Sequence, residues 1–141
     1  MQPMTDTKTG TAPRVASCAC NSLVLTATGE PTGVYACGCL NCQRATGTAF
    51  AWRARFAKSA IRLDGEHRSW RRDGSGGRWV EQTFCPTCGT MLLMSAEAMP
   101  DHVVVSAGCF TDPAFTAPAT FYFSRHRPAW YALDEGMRLV E

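Results

Sequence analysis

A chain of 141 residues is long enough to bury one hydrophobic core and too short for two ordinary ones. Apolar residues at 45% and charged residues at 18% exclude a disordered or fibrous chain. A formal net charge of +2, with the basic residues scattered, excludes nucleic-acid binding driven by bulk charge.

The first stretch, "MQPMTDTKTGTAPR", is polar and has no apolar h-region, so it predicts a disordered lead-in over residues 1–14 and no targeting signal. No apolar run approaches the roughly 20 residues of a membrane helix, which predicts a cytoplasmic protein without a membrane partner. From residue 15 onward, short β-prone runs alternate with turn residues. "SLVLTATG" (22–29) and "TGVYAC" (32–37) flank Glu30-Pro31 and predict a hairpin. "LNCQRA" (40–45) and "FAKSA" (56–60) allow a helical turn or two. "TAFAWRARF" (48–56) alternates small or polar residues with Phe50, Trp52 and Phe56, and "IRLDG" (61–65) follows.

"HRSWRR" (67–72) and "RWVEQTFC" (78–85) are joined by "DGSGG", a strong turn signal. Arg68, Arg71 and Arg72 beside this turn read as a solvated hairpin face, with anion binding as the alternative. "TMLLMS" (90–95), "HVVVSAG" (102–108) and "TFYFS" (120–124) complete the series. With no internal linker or repeat, the pattern predicts an all-β single domain over residues 15–141. Trp70, Trp79 and Trp130 are expected to serve its core.

The eight cysteines carry the chemistry. In a reducing compartment such density argues for metal binding over disulfides. Seven fall into three clusters: "CAC" (Cys18, Cys20), "CGCLNC" (Cys37, Cys39, Cys42) and "CPTCG" (Cys85, Cys88). The last has the form of a zinc-knuckle turn, half of a tetrahedral site, with backbone N–H groups able to point at its sulfurs. The economical partition puts Cys18, Cys20, Cys85 and Cys88 on one closed zinc and Cys37, Cys39 and Cys42 on a second. Three protein ligands leave one coordination position open, as catalytic zinc does. The alternative is a fourth ligand from His67, His102, His126 or Cys109; otherwise Cys109 reads as a small buried apolar residue. Closing the loop over residues 21–84 removes on the order of 4 kcal/mol of denatured-state chain entropy.

The series "CAC", "CGCLNCQRATGTAF", "FCPTCGTML", "VVVSAGCFTDP", "FYFSRHRPAW" resembles the glutathione-dependent formaldehyde-activating (GFA) family, whose domain also occurs in centromere protein V-like proteins. The resemblance runs in order from about Val15 to Val140. It implies several coiled antiparallel β-sheets, a structural zinc on the first and third clusters, and a catalytic zinc on the middle one, two zinc ions per chain. It also implies a zinc-dependent carbon–sulfur lyase of the S-(hydroxymethyl)glutathione synthase kind, with glutathione and an aldehyde such as formaldehyde as partners. Two positions depart from the family's usual pattern: Gly38 replaces a common histidine, and Asn21 stands where glycine commonly follows the first cluster.

Arg44, just beyond the third ligand, is the candidate for a substrate carboxylate, because guanidinium grips carboxylates bidentately; the alternative is an ordinary surface arginine. Two rival readings accompany the enzyme: a thiol carrier without turnover, and a zinc-stabilised protein-interaction module. The short tail without a basic extension speaks against chromatin or microtubule binding.

Overall fold

The computed structural model describes residues 12–74 and 76–141. Most of the expected lead-in falls outside the described residues, and the first strand begins at Arg14. The described chain is β almost throughout, as the turn spacing predicts. It forms β1 (Arg14–Ser17), β2 (Val24–Ala27), β3 (Gly33–Cys37), α1 (Leu40–Thr46), β4 (Ala51–Ala57), β5 (Ile61–Asp64) and β6 (Arg68–Asp73). There follow β7 (Trp79–Phe84), β8 (Met91–Ala96), β9 (Met99–Ser106), β10 (Thr120–Tyr122) and β11 (Arg138–Val140). Short 3-10 turns sit at Lys58–Ala60, Ala107–Phe110 and Ser124–His126.

The strands form two sheets. One has three strands in the order β1-β2-β5, the other eight in the order β11-β10-β3-β4-β9-β8-β7-β6. Among the described strands every pairing is antiparallel except those of β10, which runs parallel to both β3 and β11. The "DGSGG" turn does join β6 to β7, and Arg71 on that hairpin pairs with Glu81 at 2.8 Å while stacking over Trp79 at 3.8 Å.

The expected hairpin between residues 22–29 and 32–37 does not form. β2 pairs with β1 and β5, whereas β3 pairs with β4 and β10, so the Glu30-Pro31 turn carries the chain from one sheet to the other. Leu25 and Ala27 are fully buried, and β2 follows their burial into the small sheet instead of folding back on β3.

The core lies between the sheets, with Leu23 and Leu25 from the small sheet's side meeting Phe56, Leu92, Val105 and Phe110. Phe110 and Phe115 stack with centroids 4.9 Å apart. The tryptophans are placed otherwise than expected. Trp70 is 56% exposed and Trp130 77% exposed, while Trp79 is half-buried. β6 is the edge strand of the large sheet and is exposed along most of its length, which leaves Trp70 largely in solvent. Trp52 takes the core position instead, meeting Phe115 edge-on at 5.8 Å.

Strand β4 positions the functional region. Phe56, Ala54 and the half-buried Trp52 face the core. By the period of two, Ala51, Arg53 and Arg55 face the other way, opposite Cys37, Tyr35 and Gly33 of β3.

Candidate metal centres

The structure brings seven cysteines into two groups, each with its sulfurs within 4.8 Å of one another. Cys18 and Cys20 leave β1 in the turn before β2, and Cys85 and Cys88 occupy the turn between β7 and β8. A register shift between Thr83 and Phe84 ends regular pairing just before Cys85 and lets the chain turn. The Sγ atoms of Cys18 and Cys20 lie 3.6 Å apart, and those of Cys20 and Cys85 lie 3.7 Å apart. A tetrahedron with 2.3 Å zinc–sulfur bonds needs sulfurs about 3.8 Å apart, so the spacing suits zinc.

Backbone N–H groups point at the sulfurs as the knuckle sequence predicts. Thr87 and Cys88 donate to Cys85 Sγ, and Leu23 donates to Cys18 Sγ. Hydrogen bonding to Thr90 and to backbone N–H groups holds the Cys88 thiol down at about 5, and Ser22 does the same for Cys85, at about 7. At Cys85 and Cys88 the thiolate, the form that binds metal, is therefore favoured, whereas at Cys20 the lowering hydrogen bonds from Ser22 are outweighed by burial and by the Cys18 and Cys85 thiols, which push the thiol up. Ser22 and Thr90 are additions that spacing alone did not reveal. Ser22 Oγ lies 3.3 Å from Cys85 Sγ, and Thr90 Oγ1 lies 3.3 Å from Cys88 Sγ while accepting from the Ala19 N–H across the two turns.

The second group is Cys37, Cys39 and Cys42, all buried. Cys37 ends β3, Cys39 caps α1, and Cys42 lies in its first turn. The Cys39 sulfur accepts from the Cys42 N–H at 3.3 Å, so the helix cap and the metal loop are one feature. Gln43 locks this loop by donating to the carbonyls of Gly38 and His126. Hydrogen bonds from the Cys37 and Cys42 thiols hold Cys39 down at about 2, and the same contacts push Cys37 far above its ordinary value. One thiolate is shared by two thiols, so a cation must displace protons to gather three thiolates.

Among the described residues, no fourth histidine, cysteine or carboxylate atom joins this trio within the same radius. His67 is exposed with its ring beside the Gly65 carbonyl, and His102 lies on β9. Cys109 packs half-buried against the core beside the four-cysteine group, where burial raises its thiol.

Tyr35, Tyr122 and Phe123 wall the trio, and burial pushes the Tyr35 phenol up to about 12 against the opposing pull of Arg53. Arg44 is exposed on the outer side of α1. It lines an open cleft of about 390 Å³ with Asn41, Ala45, Trp70, Arg72 and Gln82. Arg72, read from sequence as one of three hairpin arginines, thus shares a cleft with Arg44.

Both unusual positions have local causes. Asn21 has φ of 66°, a left-handed conformation that glycine adopts freely and asparagine tolerates best among the other residues. At Gly38 an added Cβ would lie 2.8 Å from the Phe121 ring, which is fully buried there. The volume a side chain at position 38 needs is filled by an aromatic ring.

Two outcomes are expected. Gly38→Ala overpacks this contact and lowers stability by about 1–3 kcal/mol, and the Gly38→Ala, Phe121→Leu double variant regains part of that loss in thermal unfolding. Because Cys37 holds its proton through the neutral range, loading the trio releases protons and its apparent metal affinity rises with pH. Chelator competition at about pH 6 and about pH 8 checks this, with tighter binding at the higher value.

No curated protein matches the chain closely enough to count as a relative. The family described as "Glutathione-dependent formaldehyde-activating enzyme" (GFA) matches residues 13–126, well over half of the chain and spanning all seven clustered cysteines. The chain belongs to the GFA family.

Proposed function

We propose that the protein is a zinc-dependent carbon–sulfur lyase that joins a thiol such as glutathione to formaldehyde, or splits the S-hydroxymethyl adduct. The observation that carries this reading is the three-cysteine group, which gathers three sulfurs and no fourth protein ligand among the described residues. The four-cysteine group is the structural site in this reading, and each holds one zinc. Zinc bound at the trio supplies the positive charge that favours a thiolate at neutral pH.

The chain's own residues do the rest. Cys37, Cys39 and Cys42 hold the cation at the end of β3 and the start of α1. Arg44 and Arg72 offer two guanidinium groups to the two carboxylates of glutathione, and the exposed Trp70 gives the peptide an apolar surface. In the forward direction the sulfur lone pair forms the new C–S bond and the carbonyl π pair moves to oxygen. That oxygen takes up the proton the thiol gives up. Orientation is the larger contribution, since holding two reactants in place can replace several kcal/mol of lost entropy. Free thiols at every cysteine suit a reducing, cytoplasmic setting.

Cys85→Ser and Cys18→Ser are expected to give misfolded protein, because structural zinc supplies folding energy outright. Cys42→Ser keeps a native circular dichroism spectrum and loses activity. Identical phenotypes for the two classes would refute the division of labour. With cobalt in place of zinc, glutathione is expected to intensify the sulfur-to-metal charge-transfer band and S-methylglutathione to leave it unchanged. Arg44→Ala weakens glutathione binding by about 1–3 kcal/mol without changing the free protein's spectrum. Binding without acceleration of adduct formation would turn the reading into that of a thiol carrier. A band indifferent to millimolar glutathione would leave a zinc-stabilised interaction module.

A further inference from the structure

The buried charge next to the trio is the feature that the lyase reading does not use. Arg53 is 1% exposed and stands on the face of β4 opposite Tyr35. Its Nη2 lies 4.0 Å from Cys42 Sγ, and its Nε has no hydrogen-bond partner among the described residues. The carboxylate ion pairs among the described residues belong to Arg14, Arg62 and Arg71, so no acid neutralises Arg53. The other basic group on that face, Arg55, stacks over the Tyr35 ring at 5.5 Å and adds positive charge. A buried guanidinium is costly unless paired, and the sulfur of Cys42, one of the trio, is the group able to carry negative charge that its Nη2 touches.

Charge counting gives the residue a role. Three thiolates around a divalent cation carry a formal charge of about −1, which one guanidinium neutralises. A fourth anionic ligand would bring the sphere to about −2 inside a buried pocket, and a fixed cation at van der Waals distance from one ligand sulfur halves that net charge to about −1. We propose that Arg53 is the internal counter-ion of the three-cysteine site, a positioning residue that raises its affinity for a divalent metal and favours an anionic thiolate over neutral water as the fourth ligand. The inference rests on the reading of the trio as a metal site.

The test uses the full chain and Arg53→Met and Arg53→Lys, each loaded with cobalt. Chelator competition reads metal affinity, and titration with 2-mercaptoethanol, which has no carboxylate for Arg44 to engage, reads the fourth ligand. Arg53→Met is expected to lower affinity at the labile site by about 10- to 100-fold, the range seen when groups supporting metal ligands are removed. It should leave the tightly held metal in place and weaken thiol binding about tenfold or more. Arg53→Lys, which keeps the charge, restores most of both.

Thermal unfolding separates this role from packing. With the labile metal removed by chelator, Arg53→Met should still unfold cooperatively near the wild-type temperature, because the metal sphere that Arg53 balances is then gone as well. Poor folding of Arg53→Met with and without metal would mark a packing residue and overturn the inference. Two metals per chain with unchanged affinity and unchanged thiol binding in Arg53→Met would overturn it while leaving the metal reading intact. A single metal per wild-type chain would remove the trio as a metal site and the inference with it.

Discussion

The four sulfurs of Cys18, Cys20, Cys85 and Cys88 join two sheets that share no hydrogen-bonded strand. One pair belongs to the turn of the three-stranded sheet, the other to a turn of the eight-stranded sheet, and the Ala19-to-Thr90 hydrogen bond runs alongside. The core between the sheets is built on this joint, since Leu23 follows directly from the first turn and Leu92 from the second. A small domain has little apolar area with which to hold two layers, and a cation held between them, as proposed, would add folding energy to offset chain entropy. The position of the second site depends on that layering. β4 is buried against the core on one face, and its other face becomes the wall on which Cys37, Tyr35 and Arg53 meet.

The two cysteine groups differ in what their surroundings ask of a ligand. The four-cysteine group has a full set of sulfurs, backbone donors and hydroxyls from Ser22 and Thr90, an arrangement that suits one cation. The trio is built into a helix cap, has three sulfurs, aromatic walls and a buried guanidinium that no carboxylate pairs among the described residues. Its chemistry is unfinished without something from outside. The nearby cleft with Arg44 and Arg72 has the charge to receive an anionic molecule. The same chain thus builds one site that is complete and one that is not.

Much of this was legible in the sequence because metal ligands are set by short spacings. "CAC", "CGCLNC" and "CPTCG" sort into a four and a three before any fold is known, and "DGSGG" fixes the one hairpin it joins. Pairing between distant strands was not legible. The Glu30-Pro31 turn looks like a hairpin, but β2 finds its second partner at Ile61–Asp64, a choice made by burial of Leu25 and Ala27 rather than by local turn chemistry. Nor does sequence show that β6 lies at an edge, which is why Trp70 faces solvent. Arg53 was hidden for a different reason. Arginine is almost never fully buried, so its place in "AWRARF" reads as surface until the strand's inner and outer faces are assigned. Its alternation with Trp52 and Ala54 was the available signal.

The central claim is that one metal sphere is closed by protein sulfur and the other is left for a ligand. Zinc-edge X-ray absorption on the two-metal protein tests it most directly, because the average number of sulfurs per zinc counts the ligands without relying on activity. The predicted result is an average between three and four sulfurs per zinc, made up by a light atom, that rises to four when glutathione is added. Four sulfurs per zinc before any thiol is present, or an average that glutathione leaves unchanged, would contradict it.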